Sequence, residues 1–96
     1  MIETDPMFYT YIVRCKDGSF YTGWTNDLNQ RIAAHNQGKG AKYTRNRGPV
    51  ELLAMWTSPS KSAAMKLEYS IKKMSRHEKQ ILIMEYATAS RKTANA

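Results

Sequence analysis

Two short runs of aromatic and β-branched residues, separated by Asp17-Gly18, constrain the fold of this chain more than any other feature. The first run, FYTYIVRC, spans residues 8–15, and the second, SFYTGW, spans residues 19–24. Strands favour these residue types, and Asp-Gly between two such runs is a strong signal for a tight hairpin turn. The chain is therefore predicted to open with an antiparallel β-hairpin.

The middle of the chain predicts a helix and then a third strand. Residues 25–27 (TND) are all good N-cap types, and they precede a helical pattern that contains Leu28 and Ile32. Gly38 is a typical residue at the end of a helix. The apolar run VELLAMWT, residues 50–57, then predicts a largely buried strand.

Two further helices complete the expected fold. One is predicted to start around Pro59, a residue that the first turn of a helix tolerates, and the next starts where Ser75 and Glu78 match a capping box. The order β-β-α-β-α-α predicts an α/β (α+β) sandwich with a central three-stranded antiparallel sheet flanked by helices. We expect the domain to span 8–87, between an N-terminal arm at 1–7 and a polar tail at 88–96.

Length and composition exclude several classes of protein. A chain of 96 residues has room for one domain, and its single cysteine excludes an intrachain disulfide framework and a cysteine-built zinc site. No apolar run approaches the ~20 residues that cross a bilayer. Glu3 and Asp5 stand where a signal peptide carries positive charge. We therefore expect a cytoplasmic protein with no membrane partner.

The charge distribution indicates a nucleic-acid partner. Fifteen Lys and Arg residues against eight Asp and Glu residues give a net charge of +7. A basic domain of this kind is a candidate for binding phosphate-rich polymers. No acidic residue lies between Leu28 and Val50, which suggests a surface that faces phosphates. The basic residues of that segment are Arg31, Lys39, Lys42, Arg45 and Arg47.

Three tyrosines fall on the predicted hairpin. Tyr9 and Tyr11 lie two residues apart and share one face of their strand, while Tyr21 on the returning strand is expected close to Tyr11. Aromatic packing across strands explains such an arrangement. Paired phenols at a site, acting as proton acceptor and hydrogen-bond donor, are the alternative, although a phenol with a pKa near 10 needs cations or a metal to serve as a base.

Two helical features also have alternative explanations. Arg31 and His35 lie one turn apart on the first helix. They form either a solvated pair or a clamp for phosphate. Glu68 lies amid lysines on the second helix. It either forms a surface salt bridge with Lys72 at i+4 or supplies a carboxylate ligand to Mg²⁺.

Together these residues resemble the GIY-YIG nuclease superfamily, and the short single-domain bacterial members most of all. The YTY run at 9–11 and the YTG run at 21–23 are similar to the two tyrosine half-motifs. The resemblance covers residues 8 to about 85, and the stretch HNQGKGAKYT at 35–44 is its most specific part. The first half-motif lacks its Gly and Ile, and Gln80 stands where some larger members have an Asn.

The resemblance implies a metal-dependent endonuclease that hydrolyses phosphodiester bonds in DNA. It implies that Glu68 binds a divalent metal, for which we expect Mg²⁺, while Mn²⁺ suits the same ligands. The residues given catalytic roles are Tyr11, Tyr21, Arg31, His35 and Glu68. The residues expected to contact DNA are Lys39, Lys42, Tyr43, Arg45 and Arg47. For Tyr43, stacking on a base and packing under its own loop are both open.

The hypothesis extends to substrate and partners, and two alternatives accompany it. Branched or nicked DNA would suit a role in repair or recombination, with a protein partner that supplies targeting. One alternative is a non-catalytic module of the same fold that binds nucleic acid without cutting it. The other is a structural or ribosome-associated basic protein whose tyrosines belong to the core.

Overall fold

The computed structural model describes residues 7–94, and six elements follow one another in the predicted order. They are β1 (Phe8–Arg14), β2 (Phe20–Thr25), α1 (Leu28–Asn36), β3 (Glu51–Ser58), α2 (Lys61–Lys72) and α3 (Arg76–Ala94). The strands form one antiparallel sheet in the order β2-β1-β3. The predicted architecture is thereby confirmed. The expected N-terminal arm lies, except for its last residue, outside the described residues.

The hairpin between β1 and β2 closes tightly, as the Asp-Gly pair predicts. Gly18 has φ +86°, a conformation that glycine adopts without steric cost. The backbone N–H of Cys15 donates to the carbonyl of Ser19 at 2.8 Å. In the resulting register Tyr11 lies opposite Gly23, so that Tyr21 is a diagonal rather than a direct neighbour of Tyr11.

The central strand β1 is buried on both faces. On one face, Tyr11 and Val13 are fully buried and pack with Leu28 and Ile32 of α1. On the opposite face, the hydroxyl of Thr10 donates to the carbonyl of Ala64 in α2 at 2.8 Å. One strand therefore aligns α1 and α2, and the tyrosine side chain on its α1 face becomes part of the core.

Side-chain caps define where the helices begin. Asp27 accepts the N–H of Gln30 at 3.1 Å at the start of α1. Ser75 and Glu78 form the predicted capping box before α3, with bonds of 2.9 and 3.1 Å. The start of α2 differs from the prediction, because the N-cap is Ser60 and Pro59 therefore precedes the helix.

Two further expectations differ from the structure. The third strand is not largely buried: only Ala54 and Ser58 are, because β3 lies at the edge of the sheet. In place of a frayed polar tail after residue 87, α3 continues to Ala94. The segment 88–94 contains no glycine or proline to stop a helix. Along residues 7–94, none of the helices has the length and apolar character needed to cross a membrane.

Candidate active site

The hydroxyl of Tyr11 is the centre of a hydrogen-bonded cluster between β1 and α1. Its oxygen lies 2.8 Å from Nε2 of His35 and accepts a hydrogen bond from Nε of Arg31 at 3.4 Å. Arg31 and His35 reach the same atom because residues four apart on a helix lie on one face. The structure thus brings together three of the residues that the sequence singled out.

Two glycines make room for this cluster. A Cβ atom on Gly23, opposite Tyr11, would lie 2.6 Å from the tyrosine hydroxyl. A Cβ atom on Gly40 would overlap the imidazole of His35, with 2.8 Å to Cε1. Any larger residue at either position would displace a side chain of the site.

Aromatic rings extend the cluster away from the core. Tyr21 lies 6.5 Å from Tyr11 and 5.4 Å from His35 between ring centroids. Tyr43 stacks on Tyr21 at 5.9 Å with an interplanar angle of 23°. The rings therefore pack together, as one explanation of the tyrosines predicts, and the hydroxyl of Tyr11 also bonds to polar groups.

The basic loop, residues 37–50 between α1 and β3, is fixed to the hairpin by Arg47. Its guanidinium lies 4.2 Å from the ring centroid of Tyr43, donates to the carbonyl of Tyr43 at 2.7 Å and pairs with Asp17 at 3.1 Å. Tyr43 therefore contacts both Tyr21 and Arg47, while 39% of the residue is exposed. The other basic residues of this loop, Lys39, Lys42 and Arg45, are exposed.

Glu68 lies at the border of the same cluster. Its Oε2 atom is 3.3 Å from Nζ of Lys72, and only 18% of its side chain is exposed. The expected i+4 ion pair is thus present, but the carboxylate is largely shielded. Nζ of Lys72 also lies 5.9 Å from the ring centroid of Tyr21. The negative charge of Glu68 is felt at Tyr11, whose pKa it helps to raise.

The electrostatics determine the resting protonation of the site. Burial raises the pKa of Tyr11 to about 12, against the opposing effect of the hydrogen bond from Arg31. Burial, together with the charge of Arg31, lowers the pKa of His35. The hydrogen bond to Tyr11 raises the pKa of Arg31. At neutral pH the cluster therefore holds a neutral phenol, a neutral imidazole and a guanidinium cation.

The donor set of this site fits a hard divalent cation that the substrate helps to hold. Among residues 7–94, no three His, Cys, Asp or Glu side chains come together as a metal site. Glu68 offers a single carboxylate, and Mg²⁺ is commonly held by one or two carboxylates with water and substrate phosphate. A cation held in part by the substrate fits this arrangement, whereas structural zinc needs four protein ligands.

Sequence reasoning missed one functional contact and undervalued another. Thr44 is fully buried, and its hydroxyl lies 2.7 Å from Nδ1 of His35. It belongs to the specific stretch at 35–44, but a threonine in a basic loop gives no signal of its own. The sequence predicts Lys72 as a surface partner of Glu68, but only the folded structure shows that it also lies over the ring of Tyr21.

The comparison with known proteins agrees with this geometry. A sequence profile of the GIY-YIG catalytic domain matches residues 7–81. The chain belongs to the GIY-YIG family. GIY-YIG nucleases generally use divalent metals, and a domain of this family suggests nucleic-acid binding in general.

Relatives in this family are similar over most of the chain. The UPF0213 protein BH0048 of Halalkalibacterium halodurans is 56% identical over 75 residues, which is 78% of this chain and 80% of that protein. The UPF0213 protein YazA of Bacillus subtilis is 49% identical over 84 residues, which is 88% of this chain and 84% of YazA. Neither name states an activity.

Solved structures of GIY-YIG relatives have the same fold. The solution NMR structure of the UPF0213 protein BH0048 from Bacillus halodurans gives a TM-score of 0.55 at 54% identity, covering 81% of this chain and 83% of that one. The solution NMR structure of EF2693 from E. faecalis gives 0.60 at 35% identity, with coverage of 91% and 93%. The sheet with its three helices is therefore the architecture of this group.

Proposed function

We propose that this GIY-YIG protein is a metal-dependent endonuclease that hydrolyses phosphodiester bonds in DNA. The observation that carries the proposal is the buried hydroxyl of Tyr11, held by Arg31 and His35 at 3.4 and 2.8 Å. Any buried phenol needs a hydrogen-bond partner, but both partners here are groups that can stabilise charge or transfer a proton. An arginine and a polarised phenol at one point are suited to bind a phosphate and to move a proton beside it.

Each side chain has a defined part in this proposal. Tyr11 gives up its phenolic proton to solvent, and the hydrogen bond from Arg31 stabilises the phenolate, which then accepts a proton from the attacking water. The outer part of the guanidinium neutralises charge on the phosphoryl oxygens. Tyr21, which stacks on Tyr43 and meets the ring of His35 edge to face, limits the space around the phosphate. Glu68 would hold Mg²⁺, or Mn²⁺ in its place, which supplies positive charge next to the scissile phosphate.

The exposed part of the basic loop would bind the DNA backbone away from the cut. Lys39, Lys42 and Arg45 extend into solvent, whereas Arg47 has partners within the chain. Contacts of this kind are independent of sequence and depend strongly on salt. We therefore propose branched or nicked DNA as the substrate, a role in repair or recombination, and a protein partner for targeting. The expected compartment is the cytoplasm.

One observation favours a second candidate, a module of the same fold that binds nucleic acid without cutting it. The ammonium group of Lys72 already neutralises Glu68 at 3.3 Å. A cation that binds to this carboxylate must compete with that pair. If no cation displaces Lys72 from Glu68, the basic loop still binds nucleic acid while the cluster around Tyr11 remains inactive.

Cleavage assays with a charge-neutral variant separate these candidates. Nicked, flapped, four-way and linear duplex DNA are incubated with Mg²⁺, Mn²⁺ or EDTA, using wild type and Glu68→Gln. We expect metal-dependent cutting that falls more than about 100-fold in Glu68→Gln, because the variant keeps the size of the side chain but loses its charge.

Two controls make the result specific. Glu85→Gln alters an exposed glutamate on α3 and is expected to cut as wild type does. Binding measured by fluorescence anisotropy in EDTA is expected to survive Glu68→Gln. Cutting by Glu68→Gln at the wild-type rate would contradict the assignment of the metal ligand. Tight, salt-sensitive binding by a wild type that never cuts would support the binding module instead.

A further inference from the structure

We propose that Thr44, with the backbone N–H of Ala41, fixes the tautomer of His35 so that Nε2 carries the proton and donates it in a hydrogen bond to Tyr11. Thr44 is then a positioning residue, acting through His35 on the phenol. The tautomer follows from the contacts of the imidazole alone. Only its consequence for catalysis rests on the proposed nuclease function.

Both contacts of Nδ1 come from the loop that follows α1. The N–H of Ala41 points at Nδ1 of His35 from 3.5 Å, and the hydroxyl of Thr44 lies 2.7 Å from the same atom. A backbone N–H donates and never accepts, so Nδ1 must present its lone pair. A neutral imidazole carries one proton, which is therefore on Nε2.

The hydroxyl proton of Thr44 has two acceptors within reach, and one of them needs it less. Nδ1 of His35 is at 2.7 Å and the carbonyl of Ala41 is at 3.0 Å. That carbonyl already accepts the backbone N–H of Thr44 at 3.1 Å. With Nδ1 unprotonated, the contact of 2.7 Å needs a proton between the two atoms, so the hydroxyl of Thr44 donates to Nδ1 beside the N–H of Ala41.

The surroundings hold the ring in this orientation. His35, Thr44 and Tyr11 are each 0% exposed, and Gly40 lies directly against the imidazole. Turning the ring over would place carbon atoms where Nδ1 and Nε2 now bond. Both hydrogen bonds would then be lost among fully buried side chains.

The tautomer decides what His35 does for Tyr11. With the proton on Nε2, the tyrosine oxygen accepts two hydrogen bonds, from His35 at 2.8 Å and from Arg31 at 3.4 Å. Its own proton is directed away from the imidazole. His35 thus stabilises the phenolate form of Tyr11 and does not withdraw the proton from the phenol.

Nitrogen-15 NMR of the histidine ring tests the tautomer without DNA or metal. The samples are wild type, Thr44→Ser and Thr44→Val at neutral pH, with His77→Gln used to assign the two histidines. In wild type and Thr44→Ser we expect a protonated Nε2 and an unprotonated Nδ1. In Thr44→Val, which keeps the shape of the side chain but loses the hydroxyl, we expect the two tautomers to mix.

The outcomes are decisive in each case. A protonated Nδ1 in wild type would overturn the proposal, and wild type alone answers this even if Thr44→Val does not fold. An unchanged tautomer in a folded Thr44→Val would remove Thr44 from it and leave Ala41 alone responsible.

Cleavage assays then test the catalytic consequence separately. We expect kcat to fall about 10- to 100-fold in Thr44→Val, as for other groups that orient a catalytic side chain, with DNA binding in EDTA unchanged. Thr44→Ser is expected to retain most of the activity. A wild type that cuts no substrate would contradict the proposed function while the NMR result on the tautomer still stands.

Discussion

At the scale of single residues, Tyr11 connects the fold with the proposed chemistry. Its ring packs with Val13 and Cys15 in the core, while its hydroxyl bonds to side chains from α1. A fully buried phenol is held in one position by its packing, so the oxygen needs no further reorganisation when a phosphate arrives. The same burial raises its pKa to about 12, so the phenol needs positive charge beside it to lose its proton near neutral pH.

His35 predicts a pH dependence of stability. Burial and the charge of Arg31 lower its pKa below the ordinary 6.5. The unfolded chain then binds a proton that the folded chain excludes, so stability is complete above 6.5 and is lost as the pH falls from 6.5 to the native pKa. One proton contributes a slope of at most about 1.4 kcal/mol per pH unit. Urea unfolding at about pH 7.5 and about pH 5 measures this slope.

Two variants separate His35 from the other titrating groups. His35→Asn is expected to lose part of the pH dependence, since its side chain does not titrate. His77→Asn changes an exposed histidine on α3 and is expected to unfold with the wild-type dependence. Equal slopes in wild type and His35→Asn would contradict a neutral, buried imidazole in the native state.

At the scale of elements, α1 and the loop that follows it divide two tasks. The helix supplies Arg31 and His35 to the buried hydroxyl, and the loop presents charge to solvent. Arg47 fixes this loop to the hairpin through Asp17, a pair between partly exposed groups that contributes little stability but fixes position. The loop therefore keeps its lysines beside the site and not in the site.

The loop predicts the salt dependence of DNA binding. Lys42→Ala should weaken binding to all sequences and reduce the slope of log K against log salt by about one, because one phosphate contact is lost. Lys66→Ala is the matched control, since residue 66 lies two positions from Glu68 and so faces the opposite side of α2. Anisotropy titrations in EDTA give both slopes. An unchanged slope in Lys42→Ala would remove the loop from the interface.

At the scale of the whole molecule, the helices differ in how firmly they hold the sheet. Both α1 and α2 contact the buried strand β1, through the apolar cluster around Tyr11 and the Thr10 hydrogen bond. By contrast, α3 packs on the edge strand, where Tyr86 contacts Trp56 at 5.6 Å between ring centroids. Beyond Tyr86, residues 87–90 are exposed. The last turns of α3 should therefore add little to stability.

Truncation tests this division and the expected domain limit at residue 87. A chain that ends after Ala87 should unfold cooperatively, with Tm lowered by less than about 4 °C, equivalent to at most ~1 kcal/mol. Tyr86→Ala in the full chain should lower Tm further, because the aromatic contact with Trp56 is lost. Thermal unfolding followed by circular dichroism measures both. A larger loss on truncation than in Tyr86→Ala would place the domain boundary beyond residue 87.

The sequence by itself determined the order of the elements and most of their limits. Asp17-Gly18 and the capping box at 75–78 act within a few residues, so local chemistry is enough to predict them. The spacing of four between Arg31 and His35 is also local, because one turn of helix places both on one face. These features predicted the sandwich and named the residues that meet at Tyr11.

Only the tertiary structure decided which contacts those residues make. Examples are the edge position of β3, the position of Lys72 over Tyr21 and the hydrogen bond between Thr44 and His35. Each depends on segments that lie apart in the chain, and no periodic pattern in the sequence predicts it. The contacts of Tyr43 with Tyr21 and Arg47 likewise come from the fold. Such contacts depend on how a loop folds back over a helix, and that is a property of the packed molecule, not of any short stretch of sequence.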